Sequence, residues 1–263
     1  MLLTDQIGNT LNIDTTPIRI ISLVPSQTEL LYDLGLEQTI VGLTKFCVHP
    51  IHLKADKQIV GGTKQINLDK IKALKPDIIL CNKEENTQDI VLACQAICPV
   101  HVSDIANIAD CLDLIKQYGQ LFNKSDNANK ICETIDTNLK EFQIYIKEKS
   151  SLKVAYFIWK DPWMVAAKGT FIDHLLQLNK FENIYGNLKR YPEVDINKIK
   201  HEGKPEVILL SSEPYPFKNK HILEVGRVSN HAKTILVDGE YFSWYGSRLV
   251  QAFDYFKQLH DRL

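Results

Sequence analysis

The sequence predicts an α/β protein made of two similar lobes, each a mostly parallel sheet flanked by helices, with one long helix bridging the lobes. Two stretches nearly repeat each other, "KIKALKPDIIL" from residue 70 and "KIKHEGKPEVILL" from residue 198. One long amphipathic segment separates the two halves. Because an alternation of strands and helices is typical of a parallel α/β sheet, the repetition predicts two such sheets.

The first lobe begins with the apolar run "RIISLV" (19–24), which has the length of a strand. Ser26 and Glu29 follow in the spacing of a capping box, and Gly35 can end the helix. This order predicts a strand, a polar turn and a helix.

The second half repeats that order, with a strand predicted for "KVAYFIW" (153–159) and a helix capped by Thr170 and Asp173. In both repeated stretches we expect the Lys-Ile-Lys triplet to lie in a helix that the Lys-Pro step ends, because proline cannot continue a helix. The runs "DIIL" and "EVIL" are continuously apolar, as in parallel strands buried on both faces.

Residues 125–151 predict one amphipathic bridging helix between an N-terminal lobe, 1–124, and a C-terminal lobe, 152–263. The segment has no glycine or proline, and its apolar residues recur every three or four positions. A helix of about 24 residues is about 36 Å long. We therefore expect a stiff connection with little hinge motion, and a cleft between the lobes, where ligands usually bind.

Composition excludes several classes of protein. The net charge of −1 argues against a nucleic-acid partner, and no apolar run is long enough to span a membrane. The six cysteines lack metal-site spacing and are interpreted as buried apolar residues; zinc held by Cys94, Cys98 and a distant histidine is the less favoured alternative. The N-terminus lacks the features of a signal peptide, which predicts a cytoplasmic chain or one whose leader has been removed.

No catalytic motif is present, so the sequence predicts no enzyme, no catalytic residue and no resident cofactor or metal. Ser26 lies between a strand and a helix, where a nucleophile can sit. We expect it to cap the helix instead, because no histidine is close in sequence to activate it.

The stretches "RIISLVPSQTELLYDLGL", "INLDKIKALKPDIIL" and "DINKIKHEGKPEVILL" resemble the substrate-binding proteins of ABC importers whose lobes are bridged by a rigid helix. The resemblance covers roughly residues 18–260 and is strongest to the cobalamin-binding branch. It implies a periplasmic monomer that carries a corrinoid or similar macrocycle to importer membrane subunits. A ferric siderophore or haem is the alternative ligand, and a cytoplasmic bilobal cofactor-handling protein or enzyme is the alternative class.

In the cobalamin-binding branch, aromatic side chains from both lobes stack on the ligand. The resemblance puts Tyr241 at a stacking position and Trp163 near another pocket position. Thr63 and Asn82 depart from the family pattern, because they occupy first-lobe positions where the family carries aromatic residues.

The loop "KFCVHPIHL" (45–53) supplies three first-lobe candidates for ligand contact, Phe46, Cys47 and His49. We expect this loop to follow a strand and to face the ligand, as such loops do in open parallel sheets. His49 can contact a metal centre in the ligand or donate a hydrogen bond; the alternative is a turn histidine held by Pro50. His49 and His52 alone do not make a metal site.

The segment "YFSWYGSR" (241–248) supplies further candidates in the second lobe, because aromatic residues concentrated in loops often form binding surfaces. Arg248 can pair with a ligand carboxylate or phosphate, or with the first turn of its own helix. Trp159 closes a strand and is interpreted as a core residue. The candidates in this segment are Tyr241, Phe242, Trp244, Tyr245 and Arg248.

Glu84 and Glu213 occupy equivalent positions after the two repeated strands. The resemblance implies that one glutamate per lobe docks against arginines of the importer membrane subunits. Glu85 or Asp89 can take the place of Glu84, and the alternative is that both are solvated turn carboxylates.

Overall fold

The computed structural model describes residues 1–263, which form two compact units. Unit 1 contains Met1–Asp136 and Tyr245–Val250, and unit 2 contains Thr137–Trp244 and Gln251–Leu263. The sequence-based division placed all of 152–263 in one lobe, whereas the returning segment Tyr245–Val250 is part of unit 1 in the structure.

Unit 1 consists of a small hairpin and a parallel sheet with helices between its strands. Its strands are β1 (Leu2–Thr4), β2 (Thr10–Asn12), β3 (Ile20–Ser22), β4 (Ile40–Leu43), β5 (Gln58–Ile59), β6 (Ile78–Asn82) and β7 (Val100–Ser103). Its helices are α1 (Pro25–Asp33), α2 (Leu53–Asp56), α3 (Leu68–Ala73), α4 (Gln88–Gln95) and α5 (Ile108–Leu121), and a 3₁₀ turn covers Glu37–Thr39.

The hairpin β1–β2 is antiparallel, and the main sheet of unit 1 is fully parallel with the order β5-β4-β3-β6-β7. Every residue of β3, β6 and β7 is buried. Continuous apolar runs thus form the central strands, as predicted for a sheet covered on both faces.

Helix α1 starts differently from the prediction. It begins at Pro25, and its N-cap residue Val24 provides no side-chain cap. The capping box assigned to Ser26 and Glu29 is therefore wrong, because proline already occupies the first turn, where its missing N–H costs nothing. The predicted end is confirmed: Gly35 has φ +77° and donates to the Tyr32 carbonyl at 2.8 Å.

The predicted bridging helix is confirmed as α6, which covers Ser125–Lys147 without interruption. Its first part, through Asp136, groups with unit 1, and the rest, from Thr137, groups with unit 2. In the second part, Phe142 is buried against Phe253 and Phe256.

Unit 2 has a second sheet of the same kind. Its strands are β8 (Leu152–Trp159), β9 (Met164–Val165), β10 (Phe181–Asn183), β11 (Val207–Ser211) and β12 (Lys233–Val237). Its helices are α7 (Phe171–Leu178), α8 (Asn219–Val228), α9 (Glu240–Ser243) and α10 (Leu249–Asp261), and a 3₁₀ turn covers Ile196–Lys198.

The order β10-β8-β11-β12 is parallel, and β9 pairs with β8 in the antiparallel sense. The predicted cap of α7 is confirmed, since the Thr170 side chain accepts from the Asp173 backbone N–H. The expected helix over the second Lys-Ile-Lys is wrong: only a 3₁₀ turn ending at Lys198 forms, and Gly203 follows with φ +138°. No helix of the chain combines the length and hydropathy that a membrane crossing requires.

Candidate functional site

The loops after the parallel strands of unit 1 meet at one edge of its sheet, which we call the carboxyl edge. The chain passes from β3 to β4 on one side and from β6 to β7 on the other. Ligands of open parallel sheets bind at such a reversal of strand order, outside the carboxyl ends of the strands. The candidate site in unit 1 therefore lies beside the ends of β3 and β6.

A buried polar network centred on Gln27 fills the base of this edge. The Gln27 Nε2 amide donates to Ser103 Oγ at 2.7 Å and to Tyr245 OH at 3.1 Å. Tyr118 OH donates to Gln27 Oε1 at 2.7 Å. Both tyrosines are buried, and burial raises the pKa of each phenol well above its usual range. These side chains satisfy one another and hold the loops in place.

Tyr245, a predicted ligand contact, is thus a member of this network. Its hydroxyl reaches Gln27 and Ser103, and the neighbouring Gly246 N–H donates to Cys111 Sγ at 3.0 Å. The returning segment is anchored in unit 1 by these contacts. A role for Tyr245 in ligand binding stays a prediction.

Asn82 ends β6 and shapes the turn that follows it. Its Oδ1 accepts from the backbone N–H groups of Glu84 at 2.8 Å and Glu85 at 3.1 Å, and its Nδ2 donates to the Ser103 carbonyl at 3.2 Å. An aromatic side chain cannot make these bonds. The departure from the family pattern at this position therefore has a structural role inside unit 1.

The loop after β4 divides its three candidates between surface and interior. Phe46 is 49% exposed, and Lys45 Nζ lies 5.0 Å from the centre of its ring. Cys47 is buried, with Sγ 3.1 Å from Thr28 Oγ1, and burial raises the pKa of its thiol. His49 is half-buried and precedes a cis peptide bond to Pro50. Phe46 and His49 have surface available for a ligand, whereas Cys47 does not.

Arg248 forms a two-point ion pair with Glu29 of α1. Its Nε donates to Oε2 at 2.9 Å and its Nη2 to Oε1 at 2.6 Å, and the Arg248 side chain is only 9% exposed. Burial raises the pKa of Glu29, and the guanidinium opposes that rise. From the sequence, the partners considered for Arg248 were a ligand anion and the first turn of its own helix. The partner in the structure, Glu29 of α1, is neither of these.

The carboxyl edge of unit 2 differs in chemistry, because rings dominate it. We call Trp159, Trp163, Tyr215, Phe217 and His221 the aromatic cluster. Trp163 stacks on Phe217 with 5.9 Å between ring centres and a 16° interplanar angle. Trp159 meets the edge of Tyr215 at 5.6 Å, and Tyr215 lies 4.8 Å from Phe217.

Two features of the cluster were not predicted from the sequence. Trp159, interpreted as core, is 39% exposed, because it ends β8 at the carboxyl edge. Tyr215, Phe217 and His221 were not predicted; the signal available for them was the aromatic loop "EPYPFKNKH" directly after the repeated strand.

A cation accompanies the rings. Lys160 Nζ lies 5.5 Å from the centre of the Trp163 ring and 2.6 Å from a carboxylate oxygen of Glu224. The exposed part of the cluster can therefore offer two kinds of contact to a planar ligand: the face of an aromatic ring and a nearby positive charge.

The segment from Tyr241 to Trp244 presents one ring to its surroundings and buries two. Tyr241 is half-buried and stacks on Tyr255, with ring centres 4.5 Å apart and planes at 17°. Phe242 is fully buried and lies 4.9 Å from the ring of Phe256, and Trp244 is also buried. Tyr241 is the member of this segment with surface available for a ligand.

The two predicted docking glutamates both follow a strand end. Glu84 is half-buried in the turn shaped by Asn82, and Lys64 Nζ donates to its backbone carbonyl. Glu213 follows β11, and Ser243 Oγ donates to its carboxylate. Their role at an importer stays a prediction.

Comparisons with known proteins agree with this architecture. Residues 20–230 match the family described as "Periplasmic binding protein". A vitamin B12-binding protein of Pectobacterium atrosepticum is 25% identical over 245 residues, which are 90% of this chain and 86% of that protein. An uncharacterized ABC transporter substrate-binding lipoprotein of Bacillus subtilis, YvrC, is 25% identical over 187 residues. That match spans 68% of this chain and 59% of the lipoprotein, less than two thirds of its length.

Among solved structures, the periplasmic heme-binding protein RhuT from Roseiflexus sp. RS-1 superposes with a TM-score of 0.80 at 15% identity. The superposition covers 92% of this chain and 98% of that one. At this identity the likeness shows a common fold.

Proposed function

This chain belongs to the periplasmic binding protein family, and we propose that it is the substrate-binding component of an ABC-type importer for a corrinoid or similar macrocycle. Periplasmic binding proteins are non-enzymatic transport components that deliver small ligands to membrane subunits. The similarity to a vitamin B12-binding protein supports the corrinoid, and the periplasmic and lipoprotein relatives support a location outside the cytoplasmic membrane.

The observation that carries the ligand class is the aromatic cluster of unit 2. Trp159 is 39% exposed at the carboxyl edge, and Trp163 and Tyr241 are half-buried there. Ring faces at strand ends suit a flat, largely apolar ligand, because stacking adds to the burial of apolar area. In unit 1 the exposed Phe46 and the half-buried His49 are the proposed contacts.

Haem or a ferric siderophore is the second candidate. His49 favours it, because a half-buried imidazole in a loop at a strand end can reach an iron centre. The fold shared with a heme-binding protein is compatible with this alternative.

Ligand titration tests the proposal. All three tryptophans belong to unit 2, so quenching of intrinsic fluorescence reports on that unit. We expect cobalamin or cobinamide to bind and to quench, with isothermal calorimetry confirming the affinity; haem and a ferric siderophore are the comparison ligands. Absence of binding by all four would contradict the macrocycle.

Variants locate the binding surface. Tyr241→Ala and Trp159→Ala should each weaken binding about three- to tenfold, because a stacking contact contributes about 0.5–1.5 kcal/mol beyond area burial. Tyr32→Ala is the matched control, since Tyr32 is exposed in the last turn of α1, away from the carboxyl edge. If all three variants bound the ligand with the same affinity, the rings of Tyr241 and Trp159 would not contact it, and the proposed contacts in unit 2 would be wrong.

A further inference from the structure

Three potential metal ligands converge beside the segments that lead into β4 and β5 of unit 1. Glu37 lies in the 3₁₀ turn that leads into β4, while His52 and Asp56 belong to the one-turn helix α2 and its N-cap, which lead into β5. Their nearest ligand atoms all lie within 4.8 Å of one another. The His52 Nε2 atom is 2.8 Å from Glu37 Oε1.

The backbone fixes this arrangement. The Asp56 N–H donates to the His52 carbonyl at 3.2 Å, so residues four apart face the same side of the turn. On the opposing segment, Thr39 Oγ1 donates to the Leu36 carbonyl at 2.6 Å and closes the turn that carries Glu37.

The packing of the imidazole adds to the preorganisation. The Tyr32 ring meets the His52 ring edge-on, with 5.7 Å between ring centres. Leu53, the next residue, is fully buried and anchors α2 to unit 1. The imidazole is therefore presented from an anchored turn, with its Nε2 atom directed at a carboxylate.

One imidazole nitrogen and two carboxylates form the donor set of zinc and neighbouring first-row divalent ions. Calcium and magnesium prefer oxygen ligands alone. Metal–ligand bonds of about 2.0–2.2 Å require donor atoms roughly 3–3.5 Å apart. The His52 Nε2 and Glu37 Oε1 atoms are already 2.8 Å apart, and all three donor atoms lie within 4.8 Å of one another. Because His52 and Asp56 are exposed, ordinary side-chain rotations can bring the donors to the required spacing.

We propose that Glu37, His52 and Asp56 bind one divalent transition-metal ion, zinc in the first instance, with water completing its coordination. The sequence alone did not indicate this site, because it does not show that the two nearby histidines, His49 and His52, have different surroundings. His49 lies near Glu29, whereas His52 lies near two carboxylates from separate segments. The site is independent of the proposed macrocycle.

Titration of the chelator-treated full chain tests the proposal. We expect calorimetry with zinc chloride to show saturable binding of one ion, and cobalt(II) chloride to give the visible absorption bands of a low-coordinate nitrogen and oxygen site. His52→Ala, Asp56→Asn and Glu37→Gln should each weaken zinc binding roughly tenfold or more, since changes one shell further out already cost about 10–100-fold.

His231→Ala is the matched control, because His231 is an exposed histidine of unit 2 that lies outside the cluster. It should leave zinc affinity unchanged. The three cluster residues are partly or fully exposed, so circular dichroism should show every variant folded. Zinc affinity that is unchanged in His52→Ala, or no saturable binding to the unmodified chain, would overturn the proposal.

Discussion

The two units share one structural device and differ in how they use the loops beside it. In both units, the lysine before the proline of the repeat has a left-handed backbone conformation, with φ +47° at Lys75 and +48° at Lys204. The acid that follows binds the start of the neighbouring strand: Asp77 Oδ2 accepts from the Ile18 and Arg19 N–H groups at 2.9 Å. In unit 2, a Glu206 carboxylate oxygen accepts from Lys153 N–H at 2.8 Å. The repeated sequence thus joins adjacent strands at their beginnings.

At the opposite edge the units have diverged. Unit 1 closes its edge with hydrogen bonds among buried polar groups around Gln27, whereas unit 2 presents the aromatic cluster. Loss of one partner of a buried hydrogen bond leaves a polar group unsatisfied, whereas loss of a ring contact removes apolar packing and leaves no polar group unpaired. Unit 1 therefore positions its loops through polar contacts, and stacking surface is concentrated in unit 2.

The largest expected effect comes from Gln27→Leu, compared with Phe217→Leu in unit 2. Loss of the amide leaves the buried Tyr118 hydroxyl without its partner and removes one of the partners of the Tyr245 hydroxyl, which keeps Ser103. An orphaned hydroxyl costs about 1–3 kcal/mol and a lost hydrogen bond about 0.5–1.5 kcal/mol, so we expect the free energy of unfolding to fall by about 1.5–4.5 kcal/mol. Phe217→Leu keeps an apolar side chain but removes the ring contacts with Trp163 and Tyr215, so it should cost about 1–3 kcal/mol.

Hydrogen exchange followed by mass spectrometry measures these effects in each unit separately. Peptides from β3 and β6 report on unit 1, and peptides from β8 and β11 report on unit 2. Gln120→Leu, on the exposed face of α5, is the control and should change stability by less than about 0.5 kcal/mol. Equal costs for Gln27→Leu and Phe217→Leu would remove the contrast between the two edges.

A smaller difference in stability is expected between substitutions of the two repeated acids, Asp77 and Glu206. Asp77→Ala removes two hydrogen bonds to strand starts and Glu206→Ala removes one. At about 0.5–1.5 kcal/mol per bond, we expect losses of about 1–3 and 0.5–1.5 kcal/mol. Exchange of the amides at the start of β3 and of β8 provides the measurement. A larger loss for Glu206→Ala would show that the acids have other roles.

Local sequence patterns predicted most of the framework. The repeat, the apolar runs of β6 and β11, the α7 cap and the uninterrupted period of α6 are all short-range signals. The missed start of α1 is also a local matter, because proline in the first turn competes with Ser26 for the start of the helix.

The side-chain partners at the edges could not be predicted in the same way. Gln27 and Tyr245 are 218 positions apart, and Glu29 and Arg248 are 219 apart. Nothing in either local pattern indicates the other partner. Trp159 shows the related limit: its position at the end of a strand was recognised, but its exposure depends on where the neighbouring strands stop.

The pH dependence of stability should also differ between the units. Burial lowers the pKa of His260 in unit 2 to about 4, while burial raises the pKa values of three unit 1 carboxyl groups, Glu29, Asp33 and Glu85. The groups around the His260 ring are Asn179, Phe181, Tyr145, Lys149 and Asp261.

The signs of the two effects are opposite. An unfolded imidazole takes up a proton near pH 6.5, but folded His260 does so only near pH 4. Its contribution to stability is complete above about pH 6.5 and is lost as the pH falls toward 4. The three carboxyl groups take up protons at higher pH when folded, so acidification favours folded unit 1 through them. His101, whose pKa is lowered by burial, opposes this in unit 1.

Thermal unfolding of unit 2, followed by tryptophan fluorescence between pH 7 and 4, tests this prediction. We expect the midpoint to fall with pH in the unmodified chain and to fall less in His260→Gln. The His260 ring is buried in the last turn of α10. Parallel curves for the two proteins would exclude His260 as a source of the acid sensitivity of unit 2.

The smallest effect on the isolated protein is expected for Glu84→Gln combined with Glu213→Gln. Both side chains are half-buried at strand ends, and an amide oxygen can still accept the Ser243 hydrogen bond that Glu213 receives. Unfolding free energy and ligand affinity should therefore change by less than about 0.5 kcal/mol.

If these carboxylates dock on arginines of the importer, an arginine left without its partner costs about 2–5 kcal/mol. Delivery of ligand to the importer in proteoliposomes should then fall sharply for the double variant. The two single variants show whether both units contribute. Asp89→Asn, in the exposed first turn of α4, tests the alternative carboxylate in unit 1. Transport by the double variant at the unmodified rate would show that Glu84 and Glu213 are turn carboxylates, which share a position in the repeat but have no docking role.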